Sequence, residues 1–218
     1  MEMNSGARTQ NLFELIYGVL FNPVYTFSSL ADAPPLGYSV LILFILAIAN
    51  ALTSIAFFRT TLPDIPGFDT AVPVLGPWLF MPGVLLALIF ASFKYLLYGA
   101  VLHLAAELWG GKGTPRGTLA VYALAALPGV FLIPLELMMK LFNFPEVAAM
   151  VLGLVAGFAV VVWGVVLLIL GLREVHRFPT DAAVLTVFTP AAVLILLLIV
   201  FFVAVAVFAG TFAASTGF

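Results

Sequence analysis

The chain has no cysteine and little charge. Lys, Arg, Asp and Glu make up 8% of its 218 residues, whereas an ordinary soluble domain has roughly 25%. Without cysteine it can form no disulfide, and it has no thiolate to act as a nucleophile or metal ligand. The net charge of −2 comes with no basic stripe, so the sequence excludes the phosphate neutralisation on which nucleic-acid binding depends.

Hydrophobic residues, by contrast, account for 64% of the chain. A soluble domain could not bury so much apolar surface, so lipid must be the solvent for most of it. Five apolar runs reach the length of about 20 residues that a helix needs to cross a bilayer. The sequence therefore predicts an all-α polytopic membrane protein whose transmembrane domain, residues 37–218, has five spans near residues 38–58, 79–108, 117–141, 146–171 and 182–210.

The first part of the chain, residues 1–36, predicts two short helices rather than a signal peptide, because Glu14 interrupts its apolar run. Asn22 and Pro23 separate the two helices, with Asn22 as the N-cap of the second. Both helices are too short to cross a membrane and too apolar to be free in water. We expect them either to lie along the cytoplasmic interface or to pack on the bundle as a lid.

Glycine, proline and polar residues separate the predicted spans. Residues 58–77 indicate a polar loop. In residues 110–117, GGKGTPRG, glycine ends one helix and Thr114 caps the next. In residues 171–181, GLREVHRFPTD, Gly171 is expected to end a further helix. Three prolines lie inside predicted spans and should kink them: Pro128, Pro134 and Pro190.

The distribution of lysine and arginine predicts the orientation, because short cytoplasmic loops carry the excess of positive charge. One side has only Arg59 and Lys140. The other side collects the remaining loop cations: Arg8, Lys112, Arg116, Arg173 and Arg177. The N-terminus is therefore expected in the cytoplasm and, after five spans, the C-terminus outside the membrane.

Lys94 is a charge within a predicted span. It lies about 18 Å along its helix from the outer end, at about 1.5 Å per residue, and so near mid-membrane. A lysine at that depth costs roughly 2.5–3.5 kcal/mol on insertion scales. We therefore expect Lys94 to face the bundle and to find acceptors there.

The predicted acceptors form an intramembrane polar cluster with Lys94. Asn50 and Glu136 lie about 12 Å and about 7 Å from the outer ends of their helices. A Lys94–Glu136 pair bridged by Asn50 or Tyr98 is sterically feasible. Glu136 could instead pair with Lys140, four residues later, in the favourable order. Such a cluster could be a structural clasp between helices or part of an ion or proton path.

His103 and Glu107 are four residues apart and share one face of their helix, close to the cytoplasmic end. One interpretation is an interfacial carboxylate assisted by the histidine. The alternative is a metal site completed by His176, because imidazole and carboxylate suit zinc or iron. Two ligands at helical spacing do not define a metal centre, so no metal or other cofactor is predicted.

Several phrases of the chain resemble the Yip family, the Rab-interacting membrane proteins of the early secretory pathway, and their prokaryotic relatives. These phrases are FNPVYTF, KYLLYG, HLAAELWGGKGTPRGTLAVYALAALPGVFL and GLREVHRFPTDAAVLTVFTP. The resemblance implies five spans after a cytosolic interfacial segment. It also matches Lys94 to a lysine of the family's second-span motif and Glu14 to an acidic residue before the spans. The long acidic or proline-rich N-terminus of eukaryotic members is missing, which suggests a prokaryotic origin.

These observations lead to a functional expectation. No Ser-His-Asp order, phosphate-binding glycine loop or carboxylate pair for acid–base work is evident, so we expect no enzyme. We expect an integral protein of the cell (inner) membrane that organises lipids or partner proteins, or forms a homo-oligomer. Its cytoplasmic face would bind anionic headgroups through basic residues near Glu14: Lys112, Arg116, Arg173 and Arg177. The alternative is a small-solute, ion or proton carrier or channel that uses the polar site centred on Lys94.

Overall fold

The computed structural model describes residues 11–31, 33–61 and 68–216, with side chains for residues 11–31, 33–49, 78 and 81–212. Every regular element in these ranges is helical. The elements are α1 (Leu12–Phe21), α2 (Pro23–Leu30), α3 (Leu36–Thr61), α4 (Phe68–Leu108), α5 (Pro115–Ala125), a 3₁₀ turn (Leu127–Phe131), α6 (Leu132–Leu141), α7 (Glu146–His176) and α8 (Thr180–Thr216).

Four helical segments of the described chain are long and apolar enough to cross a membrane. They are Met81–Leu108, Pro115–Leu141, Glu146–His176 and Thr180–Phe212. They correspond to the last four predicted spans. The first predicted span, near residues 38–58, falls on α3, a 26-residue helix. Side chains of α3 are described for residues 36–49, so the rest of this predicted span lies outside the described side chains.

Two predicted boundaries are wrong. The loop expected over residues 58–77 is shorter, because α3 continues to Thr61 and α4 begins at Phe68. The helix expected to end at Gly171 continues to His176. Gly171 is buried inside α7, where a Cβ atom would lie 2.5 Å from Cγ1 of Val121. This glycine lets α7 approach α5 closely, a role that its place before a polar segment does not reveal.

The third span changes from α-helix to a 3₁₀ turn in its middle. Its inner part, α5, begins as predicted, because the Thr114 side chain caps the helix by accepting a hydrogen bond from the Gly117 N–H at 3.1 Å. Pro128 then falls in the 3₁₀ turn between α5 and α6. Proline has no N–H to donate to the preceding turn. The regular α-helix is thus interrupted at Pro128, whereas α8 remains one continuous helix through Pro190.

The two N-terminal helices pack on the bundle. Phe27 of α2 is fully buried, and α2 contacts α7. Leu15 and Val19 of α1 are also fully buried, and α1 contacts α5 and the 3₁₀ turn. Each of these two helices therefore buries one face against the bundle. The opposite face of α1 exposes aromatic side chains at intervals of four residues: Phe13, Tyr17 and Phe21.

The hydrophobic core lies toward one end of the bundle. Residues 109–114 and 177–179 form this end, which we call the loop end. The fully buried leucines Leu102, Leu124 and Leu172 all lie in this half. Beyond Pro190, every described residue of α8 is exposed. The helices thus pack tightly near the loop end and present apolar surface elsewhere, so buried polar groups are to be sought at the loop end.

Candidate functional site: a buried histidine pair at the loop end

His176 is the last residue of α7 and is fully buried beneath the glycine-rich loop that joins α4 to α5. The backbone N–H of Lys112 donates to the His176 carbonyl at 3.1 Å. The N–H of Gly113 donates to Nδ1 of the imidazole at 3.2 Å. The ring of Phe178 packs on the imidazole, with centroids 5.4 Å apart. The loop therefore caps the end of α7 and holds the orientation of its histidine.

The glycines of this loop are explained by that contact. Gly110 has φ +83°, a conformation that side-chain-bearing residues rarely adopt. A Cβ atom on Gly113 would lie 2.8 Å from the Val175 carbonyl oxygen and 2.9 Å from Cγ of His176. The loop backbone thus lies directly against the imidazole, whereas the side chain of Lys112 is exposed.

Thr118 of α5 joins His176 to His103 of α4. Its Oγ1 lies 2.8 Å from Nε2 of His176 and 3.1 Å from Nδ1 of His103. Thr118 is fully buried and His103 is 9% exposed. On the outer side, Nε2 of His103 lies 3.4 Å from a carboxylate oxygen of Glu107, whose side chain is 57% exposed. One hydroxyl therefore connects three helices.

The donor at Gly113 determines which nitrogen of the neutral His176 ring carries the proton. Because Nδ1 of His176 accepts from Gly113, its Nε2 must carry the proton when the ring is neutral and donates to Thr118. The single hydrogen of the Thr118 hydroxyl can then go to Nδ1 of His103 or to the Thr114 carbonyl oxygen, which lies 3.3 Å away. When it goes to Nδ1 of His103, the Nε2–H of that neutral ring points at Glu107. The chain runs from the loop backbone, through the core, to an exposed carboxylate.

The proposed metal ligands lie together but do not form a metal centre. His103, Glu107 and His176 are linked through Thr118, yet in the described ranges no three His, Asp or Glu side chains are placed to hold a metal ion. The physical reason is that both nitrogens of His176 already have hydrogen-bond partners. Thr118 is also unsuited to act as a nucleophile, because it is fully buried.

Basic side chains surround the same loop. We call Lys112, Arg116, Arg173 and Arg177 the basic cluster. Lys112 lies in the loop, Arg116 follows it in the first turn of α5, and Arg177 follows His176 directly. Arg173, one turn before the end of α7, pairs with Glu174 at 2.6 Å. Glu14 lies on α1, where its carboxylate accepts from the Asn11 N–H at 3.3 Å.

The predicted intramembrane cluster is not brought together. Lys94 is exposed on the outer surface of α4 and forms no ion pair with Glu136, which is half-buried on α6. Tyr98, one turn after Lys94, packs on the ring of Tyr122, with centroids 5.0 Å apart. The side chain of Asn50 lies outside the described residues. The polar interior of the described bundle is thus at the loop end rather than around Lys94.

A family model for the Yip1 domain matches residues 17–215, nearly the whole chain. The chain belongs to the Yip1 domain family. The resemblance predicted from the sequence is thereby confirmed, and with its apolar helices the chain is an integral membrane protein. No curated protein and no solved structure matches it.

The Yip1 domain match covers the histidine pair, Thr118, the glycine loop and the basic cluster, whereas Glu14 precedes it. Sequence reasoning identified His103, Glu107 and His176 but missed Thr118. A threonine at the start of a helix usually bonds its own backbone, so nothing in the sequence marks it as a joint between helices. The loop itself gave a usable signal in the sequence. Three of its residues 110–113 are glycine, and so many glycines indicate that the backbone packs closely against another group.

Proposed function

We propose that this Yip1-family protein is a non-catalytic membrane module of a prokaryotic cell (inner) membrane, and that its loop end binds anionic lipid headgroups in the cytoplasmic leaflet. The observation that carries the proposal is the basic cluster around the capped end of α7. The proposal includes five spans, with α3 as the first, the N-terminus in the cytoplasm and the C-terminus outside.

The placement of the cations supports headgroup binding by side chains. Lys112, Arg116 and Arg177 are exposed at the loop end, next to the ends of the segments that could span a membrane. Each basic group near an anionic leaflet contributes about 1 kcal/mol to membrane attraction. The hydrogen-bonded loop cap holds Lys112 close to the end of α7, so these cations are presented together rather than on a loose segment.

The backbone of the glycine loop does not act as a phosphate cradle. The N–H groups of Gly111, Lys112 and Gly113 donate to Ala106, His176 and the His176 ring. No amide of these three residues is left to point at an anion, as it would in a phosphate-binding loop. Recognition of a headgroup at this end must therefore depend on lysine and arginine side chains.

Acidic residues at the loop end limit the net charge but have partners of their own. Glu174 pairs with Arg173, and Glu107 pairs with His103. Asp181, in the first turn of α8, is exposed and suits the positive end of that helix. The exposed members of the basic cluster are thus the groups best placed to meet lipid phosphates.

Neither catalysis nor transport is favoured by an observation in the described chain. The Yip1 family is associated with membrane trafficking and is not known as enzymatic. A carrier centred on Lys94 would need that lysine in the interior, whereas it is exposed on α4. The histidine chain does not cross the membrane, because His176 ends α7 and His103 lies about 7.5 Å from the end of α4.

Trp109 provides a local reporter for this proposal. It begins the loop and donates from Nε1 to Oγ1 of Thr189 at 2.8 Å. A Trp78→Phe/Trp163→Phe variant keeps it as the single tryptophan. Trp109 fluorescence is then measured in vesicles that contain either brominated phosphatidylglycerol, which is anionic, or brominated phosphatidylcholine. From the quenching we expect the relative affinity for phosphatidylglycerol to be at least about fivefold higher than for phosphatidylcholine, the equivalent of about 1 kcal/mol.

Replacing the whole basic cluster with glutamine should remove this preference. A matched control is Lys140→Gln, which removes an exposed lysine of α6 far from the loop end and should leave the preference unchanged. Equal quenching by the two lipids in the single-tryptophan protein would contradict the proposal. So would a preference that persists after the basic cluster is neutralised.

A further inference from the structure

α1 lacks the polar face that a helix on a membrane surface needs. Its inner face is buried against the bundle through Leu15 and Val19. Its outer face exposes Phe13, Tyr17 and Phe21, which we call the aromatic face. A helix that lies on a membrane surface turns a strongly charged or polar face toward water. Beyond its first turn α1 is instead apolar on both sides, and a helix that is apolar all round belongs inside a protein core or a membrane.

The contacts of α1 reach deep into the part of the bundle that could span a membrane. α1 contacts the 3₁₀ turn, Leu127–Phe131. This turn lies in the middle of the segment Pro115–Leu141, about 18 Å from the loop-end start of that segment at about 1.5 Å per residue. Headgroups occupy only about 5–8 Å on each side of a hydrocarbon core about 30 Å thick. The 3₁₀ turn therefore lies within hydrocarbon, and part of α1 lies beside it.

α2 contacts the bundle closer to the loop end. Its Phe27 ring lies against Gly171 of α7, where a Cβ atom would lie 3.1 Å from Cε1 of Phe27. Gly171 is about 7.5 Å along α7 from its last residue, His176. α1 is about 15 Å long, which covers the distance from this level to the 3₁₀ turn. The two helices thus extend through the leaflet next to the loop end, from its headgroup level toward its centre.

α1 and α2 pack together as a closed hairpin. A Cβ atom on Gly18 of α1 would collide with Oγ1 of Thr26 in α2, so the helices cross at a small residue, as closely packed helices in membranes do. Asn22 lies between the helices. Its N–H donates to the Gly18 carbonyl at 2.8 Å, and its carbonyl accepts from the Thr26 N–H at 3.1 Å. Backbone groups in hydrocarbon require such internal bonds, because no water can replace them.

The polar residues of the hairpin determine which way it enters the membrane. Glu14 is exposed in the first turn of α1. Ser28 and Ser29 are exposed near the end of α2, where their hydroxyls donate to backbone carbonyls at 2.8 and 2.7 Å. Charged residues carry the largest penalty for insertion, so the Glu14 end lies toward the headgroups and the Asn22–Pro23 turn lies deepest. The chain then leaves the membrane on the side by which it entered, and the number of spans is unchanged.

We propose that α1 and α2 form a re-entrant hairpin in the leaflet next to the loop end, and that the aromatic face of α1 contacts the acyl chains of that leaflet. Acyl chains fit this face because it carries no charge and lies at their depth. The rings of Tyr17 and Phe21, with centroids 4.8 Å apart, give the lipid a continuous aromatic surface. The proposal goes beyond headgroup binding, since it depends on the depth of α1 and not on the basic cluster.

Nitroxide labelling measures the depth of the hairpin, because the chain has no cysteine of its own. Single variants Phe13→Cys, Phe21→Cys and Ser28→Cys are labelled and reconstituted in vesicles of phosphatidylethanolamine and phosphatidylglycerol. Power-saturation EPR compares collisions with oxygen, which concentrates in hydrocarbon, with collisions with a water-soluble nickel complex. We expect the label at Phe21 to lie about 6–12 Å deeper than the label at Phe13, because eight residues rise about 12 Å along a helix and tilt shortens this. The label at Ser28 should again be shallower than the label at Phe21.

Two exposed positions calibrate these depths. Lys112→Cys, in the loop that joins α4 to α5, should collide freely with the nickel complex. Phe158→Cys lies near the middle of Glu146–His176 on the exposed surface of α7, and it should collide with oxygen and not with nickel. Every labelled side chain is exposed, so the label leaves the packed core intact. Circular dichroism checks that each labelled chain stays helical.

Four results would overturn the proposal. Equal depths at Phe13 and Phe21 would describe a helix that lies along the membrane surface. A label at Ser28 deeper than the one at Phe21 would show that the chain does not turn back. Nickel collisions at Phe21 as frequent as at Lys112 would describe a lid in water. Dipolar broadening at a Tyr17→Cys label, lost when labelled chains are diluted with unlabelled ones, would show that a second copy and not lipid covers the aromatic face.

Discussion

At the scale of single residues, Thr118 is a small side chain that joins two histidines on different helices. Its one hydroxyl contacts the imidazoles of His176 and His103, and both contacts are buried. A buried polar group that loses its partner costs about 1–3 kcal/mol. Removing the hydroxyl leaves two imidazole nitrogens without their partner at once, so Thr118 should be far less replaceable than the other threonines of the bundle.

We expect Thr118→Val to lower the free energy of unfolding by about 2–4 kcal/mol, because valine keeps the shape and removes the hydroxyl. Thr118→Ser keeps the hydroxyl and should lose about 1 kcal/mol or less from the missing methyl group. Thermal unfolding in detergent, followed by intrinsic fluorescence, compares the two. The hydrogen-bond chain would be unimportant if both variants melted at the same temperature.

Residue-level interactions were predictable where they are local. His103 and Glu107 share a face because they are four residues apart, and Nε2 of His103 does lie 3.4 Å from the Glu107 carboxylate. The contact of His176 with Thr118 joins residues 58 positions apart, and no periodicity reports such a distance. Lys94 and Glu136 were matched by depth alone. Depth along the membrane normal does not specify on which side of its helix a residue lies.

At the scale of elements, the glycine loop and the end of α7 form one unit. The loop contributes backbone donors, and α7 contributes a carbonyl and an imidazole that accept. Since the loop backbone touches the ring, the unit has no room for an added methyl group at Gly113. The loop should therefore tolerate substitution at Lys112, which is exposed, far better than at its glycines.

Gly113→Ala is expected to lower the free energy of unfolding by about 1–3 kcal/mol, because the new methyl group forces the loop away from Val175 and His176. The matched control is Gly153→Ala in α7, where a Cβ atom would have nothing within 4 Å. That helix-interior change should be neutral or stabilising by up to about 1 kcal/mol. Equal effects of the two alanines in detergent melting would show that the loop contact contributes little.

Element boundaries were predictable where a cap determines them. Thr114 caps α5, as expected. The break at Asn22 and Pro23 does separate α1 from α2, although the Asn22 side chain forms no capping hydrogen bond. The end of α7 was missed because a buried glycine and a terminal glycine look alike in sequence. The helical start of α4 at Phe68 was also missed, because prolines within residues 68–77 suggested a loop.

At the scale of the whole molecule, composition and family membership predicted a helical membrane protein, but not where its core lies. The core depends on which faces of α1, α2 and α5 meet, and uniformly apolar helices give little sign of a preferred face. The packed loop end and the exposed outer half divide the molecule into two regions. Variants at the loop end should affect stability, whereas variants at the exposed faces should affect association with lipid or a second copy.

The orientation of the whole chain can be tested by cysteine labelling, because the protein has no cysteine of its own. We expect the loop joining α4 to α5 to be cytoplasmic, since it lies within the basic cluster. Lys112→Cys and Ser5→Cys should then react with a membrane-impermeant maleimide only after cells are permeabilised. Phe142→Cys, in the opposite loop, and Gly217→Cys should react in intact cells. Labelling of Ser5→Cys and Gly217→Cys from the same side would rule out five spans, and α3 could not then cross the membrane.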